Sequence, residues 1–132
     1  MNGDFFDTNV LIYLLSADAK KADRAEALVR QGGAISVQVL NEAATVARRK
    51  LAMDGRETRA FLGTLRALLA VAPLTAETHA LGLDFAERYK LSIHDAMIAA
   101  AATLAGCARR RSQDMQDGMK IGDKLRVANP FK

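Results

Sequence analysis

Apolar and polar positions along the 132-residue chain change period several times, and the changes mark out alternating strands and helices. Asp4-Phe5-Phe6-Asp7 reads as a short strand. Asn9 to Leu15 then carries apolar residues too densely for a solvent-facing helix, which predicts a buried segment. Ala17 to Gln31 is charged on one side and apolar at Ala22, Ala25, Leu28 and Val29, an amphipathic helix that Gly32-Gly33 can end in a left-handed cap. Ala34-Ile35-Ser36-Val37 follows as a second strand. From Gln38, apolar Leu40, Ala43, Ala44, Ala47 and Leu51 return at helical spacing until Asp54-Gly55 breaks the pattern. Another amphipathic helix starts near Arg56 and passes through Phe61, Leu65, Leu68 and Leu69. It leads to the extended piece Val71-Ala72-Pro73-Leu74, where proline disfavours a central sheet position.

Thr75 is the expected N-cap of a helix reaching about Tyr89, and Ser92 caps the next, with Asp95 three residues on in a capping-box-like arrangement. Ala96 to Ala105 is almost entirely small and apolar, a surface that lets a helix lie close against a sheet, and Gly106 stops it. The tail alternates less cleanly through Met119, Ile121, Leu125 and Val127 before Asn129-Pro130-Phe131. Strands alternating with helices imply an α/β fold with parallel pairing. Ligands of such folds bind beyond the C-terminal ends of the strands, where the first strand places Asp7.

Composition narrows the class. Half the residues are hydrophobic and 26% are charged, as in a globular chain of a single domain spanning residues 1–132, without repeat or linker. No run of apolar residues is long enough to span a membrane, and the opening Met1-Asn2-Gly3-Asp4 lacks the basic and apolar regions of a secretory signal, so a cytoplasmic location is expected. The lone Cys107 reads as a small buried thiol. A net charge of +4 favours polyanionic partners. With two tyrosines, five phenylalanines and no tryptophan, there is no aromatic platform for bases, so RNA would be held mainly through phosphates.

Three carboxylates stand where exposed charge is unexpected. Asp7 ends an apolar strand, and its carboxylate needs either a cation or donors; it reads equally as the N-cap of the next helix. Glu42 sits one turn into a helix and suits its dipole. Asp95 also serves as the capping acid of Ser92. What joins them is phosphodiester chemistry, in which Mg²⁺ or Mn²⁺ held by carboxylates activates water and neutralises the phosphate. His79 and His94 do not have the spacing of a helical zinc pair, and no Gly-rich phosphate loop is present.

The run Phe5-Phe6-Asp7-Thr8-Asn9-Val10-Leu11-Ile12 resembles the first motif of PIN domains, in particular VapC-like toxins of type II toxin–antitoxin systems. Ile35 to Glu42 resembles their second motif, Ser92 to Ala101 their third and Ser112 to Gly118 their fourth, with Asn129-Pro130-Phe131 as the usual ending. The resemblance covers essentially the whole chain. It implies a three-layer α/β/α fold with a central parallel sheet of about five strands, and metal-dependent endonucleolytic cleavage of RNA. It implies Asp7 and Asp95 as direct ligands of Mg²⁺, with Mn²⁺ able to substitute, Glu42 as a further ligand or water-orienting group, and Asp114 as the fourth acid. Thr8, Asn9, Ser36 and Ser112 would steady these carboxylates. A homodimer and a cognate antitoxin are the implied protein partners.

One stretch departs from the family pattern. In place of an apolar strand and a Glu before the fourth-motif Asp, the chain has Arg109-Arg110-Arg111-Ser112-Gln113-Asp114. Three consecutive arginines cannot all be buried unpaired in a central strand. They are expected to alternate between faces, with Arg109, Arg110, Arg111 and His94 as candidate RNA contacts and Asp117 as a substitute acid. The alternative function is a catalytically weakened PIN-like binding module in a regulatory complex. A flavodoxin-like or receiver-like domain is a third possibility that would need acids clustered after the first strand.

Overall fold

The computed structural model describes residues 3–132, so Met1 and Asn2 of the segment read for a targeting signal lie outside the described residues. Among the described residues six strands form one sheet in the order β3-β2-β1-β4-β6-β5. They are β1 Asp4–Phe6, β2 Ala34–Ser36, β3 Ala70–Ala72, β4 Arg109–Arg111, β5 Lys120–Ile121 and β6 Leu125–Ala128. All pairings are parallel except β5 with β6, a hairpin formed by the irregular tail. The helices are α1 Thr8–Ile12, extended by a 3₁₀ turn at Tyr13–Leu15, α2 Ala19–Arg30, α3 Val37–Arg49, α4 Gly55–Leu68, α5 Ala76–Tyr89 and α6 Ile93–Leu104. They cover both faces of the sheet.

Local chemistry fixes the boundaries. Val37 belongs to α3 and not to the second strand, because the Ser36 hydroxyl accepts from the Val39 amide and starts the helix one residue earlier than the apolar pattern suggests. Asp54 and Glu57 close a capping box that opens α4 at Gly55. Pro73 directly follows β3, which lies at the sheet edge, where a missing amide removes no ladder bond. Gly33 has φ +140°, and a Cβ there would meet the Asp4 carbonyl oxygen at 2.6 Å, so only glycine lets β2 lie this close to β1.

The core is built from Phe5 and Phe6 of β1, Ile35 of β2, Val127 of β6 and the small-residue face of α6, in which Ala96 and Ala99–Ala102 are buried. No helix among the described residues is long and apolar enough to cross a membrane. Cys107 is buried, as its composition suggested, and burial pushes its thiol pKa up. The consequence for function is the position of the two innermost strands. β1 and β4 lie side by side, with Phe5 in register with Arg110, so whatever follows β1 meets what β4 projects on the same face.

Candidate active site

Asp7 is the first residue after β1. Its backbone takes the N-cap position of α1, yet its side chain makes no capping bond. The carboxylate turns instead toward β4, where Arg110 Nε donates to Asp7 Oδ1 at 2.8 Å. Period-two alternation explains the encounter. Arg110 projects on the face of Phe5 and Asp7, while Arg109 and Arg111 project on the other, where both pair with the buried Asp4 of β1. The triplet is therefore balanced locally, Arg109 and Arg111 against Asp4, and Arg110 against Asp7 and Asp95.

Asp95 reaches the same guanidinium from α6. Ser92 Oγ accepts from the Asp95 amide, which sets the first turn of that helix. Arg110 Nη2 donates to Asp95 Oδ1 at 3.2 Å, and Nη1 donates to the Asp95 carbonyl oxygen at 2.8 Å. Arg110 is 0% exposed, the largest side chain so enclosed among the described residues, and three hydrogen bonds offset the cost of bringing its charge inside.

The remaining acids have partners of their own. Glu42 Oε2 lies 2.8 Å from His94 Nε2, and Gln38 donates to the His94 carbonyl at 3.2 Å, tying α3 to α6. Asn9 Nδ2 donates to Asp114 Oδ2 at 3.2 Å, and Asn9 Oδ1 accepts from the Gln113 amide at 3.0 Å, which pins the fourth segment to α1. Ser112 is buried beside Asp7, and its hydroxyl lies 3.4 Å from Asn9 Nδ2. Together Asp7, Thr8, Asn9, Glu42, His94, Asp95, Ile98, Arg110 and Asp114 enclose a cavity of about 140 Å³ at the C-terminal end of β1. A groove of about 670 Å³ continues from it past Ile12, Val46, Lys50 and Gln113.

Several expected residues stand elsewhere. Ser36 caps α3 and is buried there. Asp117 accepts from the Asn129 amide at 2.9 Å, holding the chain end, and does not line the cavity. Arg109 and Arg111, read as candidate RNA contacts, lie with Asp4 on the other face of the sheet, outside the cavity lining. Arg110 does face the site, but as a buried partner of acids and not as an exposed phosphate contact. Gln38 was not marked by any sequence pattern.

Burial dominates the electrostatics. It pushes the Asp7 carboxyl above its ordinary range; Arg110 and the Ser112 hydroxyl pull it back, and the Asp95 charge adds to the rise. Glu42 is also raised, chiefly by burial and less by the Asp7 charge, against the pull of His94 and Thr8. Glu42 Oε1 and Thr8 Oγ1 are both buried at the cavity wall without a hydrogen bond of good geometry, and the Thr8 hydroxyl is close enough to Glu42 to pull on its carboxyl.

The donor set is right in kind for Mg²⁺ or Mn²⁺, since all four acids offer hard oxygen ligands. The arrangement does not fit such an ion. Asp7 and Asp95, the expected direct ligands, are bonded to one guanidinium, a group that keeps its proton at any physiological pH. A divalent ion would have to displace the guanidinium from both carboxylates or sit about 4 Å from it, where a repulsion of roughly 8 kcal/mol at an effective dielectric of about 20 cancels the attraction of about one carboxylate at that range. Among the described residues no group of three acids, histidines or cysteines stands in ligating geometry.

A family model described as PIN domain matches residues 5–114. Among solved structures the chain is similar to one from a toxin–antitoxin complex of Klebsiella pneumoniae, at 24% identity over 96% of this chain and 97% of that one, with a TM-score of 0.74. It is similar to Mycobacterium tuberculosis VapC20, described as a sarcin–ricin loop cleaving toxin, at 21% identity over 84% of this chain and 91% of the other, with a TM-score of 0.67. A chain of VapBC2 from Rickettsia felis, solved bound to a promoter DNA fragment, is 17% identical over 96% of this chain and 98% of its own, also with a TM-score of 0.67. At these identities the likenesses are of fold. No curated protein sequence is significantly similar to the chain.

Proposed function

Because the chain belongs to the PIN domain family, we propose that it is an endoribonuclease of the toxin kind, acting on RNA phosphodiester bonds and held in check by a cognate antitoxin. The observation that carries this reading is the convergence of Asp7, Glu42, Asp95 and Asp114, from four separate segments, on one cavity beyond the parallel strands. The RNA backbone would lie along the adjoining groove, where Lys50 offers a positive charge, with a phosphate oxygen reaching the cavity. Glu42 would handle the proton. It lines the cavity, its raised carboxyl suits proton transfer, and His94 holds Oε2. Asp114, steadied by Asn9, completes the acidic wall. The Mg²⁺ or Mn²⁺ implied by the resemblance does not fit beside Arg110, and no step is assigned to it.

Neighbours described as toxin–antitoxin assemblies support the antitoxin as partner, and a homodimer belongs to the same proposal. The test is incubation of total RNA with the pure chain and mapping of new 5′ ends. Wild type is expected to cut at defined positions, and Glu42→Gln and Asp114→Asn to lose the cuts. A specific observation favours a second reading, a binding module with weakened catalysis. Arg110 occupies both central acids, which suits a site kept for its shape more than for its chemistry. RNA binding along the groove without any mapped cut would select that reading.

A further inference from the structure

We propose that Arg110 is a resident cation that stands in for a divalent ion between Asp7 and Asp95, so that the acidic site is held together without metal and gains a metal site only when Arg110 is replaced. The inference rests on the PIN reading for which ion is being replaced, and on the geometry alone for the replacement.

Three features make the guanidinium a fixture. β4 is paired on both sides, with Arg110 in register with Phe5 on one neighbour and Val127 on the other, both buried. The side chain thus leaves a crowded central strand and can end only where the sheet gives way to the acids. Each of its three nitrogens also donates to an acceptor on one of two elements, Asp7 Oδ1 after β1, and the Asp95 carboxylate and carbonyl on α6. The carbonyl bond distinguishes the guanidinium from a bridging metal ion, which would supply no donor to it. Withdrawal of Arg110 would leave the buried Asp7 Oδ1 without its donor. Finally, Arg109 and Arg111 are committed to Asp4 across the sheet, so β4 cannot turn to place Arg110 elsewhere without burying their charges against α6.

A single positive charge replacing a double one leaves Asp7, Asp95 and Arg110 with a net charge of −1. It also changes the chemistry of the pocket. A guanidinium offers N–H groups in a fixed plane and has no exchangeable ligand position at which water could be ionised. The acids keep their shape while the Lewis acid is excluded.

The test uses the full chain with Mn²⁺ as the probe, bound ion being counted by electron paramagnetic resonance alongside thermal unfolding. Wild type is expected to show no saturable site at millimolar Mn²⁺ and no shift in melting temperature on adding chelator. Arg110→Leu is expected to bind one Mn²⁺ at least tenfold more tightly, with a concentration-dependent rise in melting temperature that Asp7→Asn abolishes in the double variant. If Arg110→Leu does not fold, the wild-type titration decides alone: a saturable Mn²⁺ site lost on Asp7→Asn overturns the proposal. RNA cleavage followed in parallel separates this inference from the functional reading. Wild type that binds Mn²⁺ at Asp7 and cuts RNA keeps the nuclease and removes the resident cation. An Arg110→Leu chain that gains Mn²⁺ while neither protein cuts keeps the resident cation and removes the nuclease.

Discussion

Arg110 Nε lies 2.8 Å from Asp7 Oδ1, and the two side chains are 1% and 6% exposed. A pair so enclosed is held in one geometry by the same low dielectric that makes either partner costly alone. Arg110→Leu should therefore destabilise the chain at neutral pH by about 3–5 kcal/mol, although leucine suits a central strand far better than arginine does. Without the guanidinium Asp7 is pushed further above its ordinary range, so the deficit should shrink toward acid pH, where the carboxyl is neutral. Adding Asp7→Asn should recover part of the loss, giving a coupling of about 0.5–3 kcal/mol in a double-mutant cycle by urea unfolding. Strictly additive effects would mean that the two side chains do not act as a pair.

The pH dependence of stability follows from the direction of the Asp7 and Glu42 shifts, both upward and both chiefly from burial. A carboxyl raised in the folded state holds its proton more firmly there than in the unfolded chain. Its contribution to stability is complete below the ordinary carboxylate range and is lost as pH rises through that range toward the raised value. Wild-type stability measured relative to Asp7→Asn should accordingly fall as pH rises above about 4. A difference that grows with pH would reverse the sign and mean that Arg110 outweighs burial.

Glu42→Gln should reduce RNA cleavage by about 10²-fold or more while leaving the fold intact. The pair it breaks is with His94, whose side chain is 49% exposed, and partly exposed pairs contribute only about 0–1 kcal/mol. Mapped cuts that survive the substitution at wild-type rate would take the proton-transfer role away from Glu42.

Gly82→Ala is expected to loosen the scaffold beneath the site. A Cβ at position 82 would collide with Met97 Sδ, where α5 lies against α6. Overpacking of this kind costs about 1–3 kcal/mol. Since α6 carries His94 and Asp95, thermal unfolding and RNA cleavage should weaken together, whereas an unchanged melting temperature would show that Met97 moves aside freely.

Much of this was legible in the residues. The strand–helix alternation, the caps at Thr75 and Ser92 and the small face of α6 depend on local chemistry, which sequence carries directly. The edge position of β3 followed from Pro73. The convergence of the four acids came from motif order, and the geometry of their partners did not. Asp7 reads from spacing as a capping residue, and only the register of β1 against β4 shows that its carboxylate faces Arg110. The arginine triplet was visible as an anomaly, but its resolution needed Asp4, an acid in the first strand that no motif marks. Strand order is a long-range property. Alternation along β4 showed that neighbouring arginines part company, and could not say which acids awaited them.

The most direct test of the resident cation is to observe the Arg110 Nε proton by ¹⁵N–¹H nuclear magnetic resonance, assigned by its loss in Arg110→Leu. A hydrogen-bonded Nε–H sealed from water should give a slowly exchanging resonance that is unchanged by millimolar Mg²⁺ and displaced in Asp7→Asn. A resonance that exchanges freely with solvent, or one that Mg²⁺ shifts and broadens in proportion to its concentration, would contradict the account.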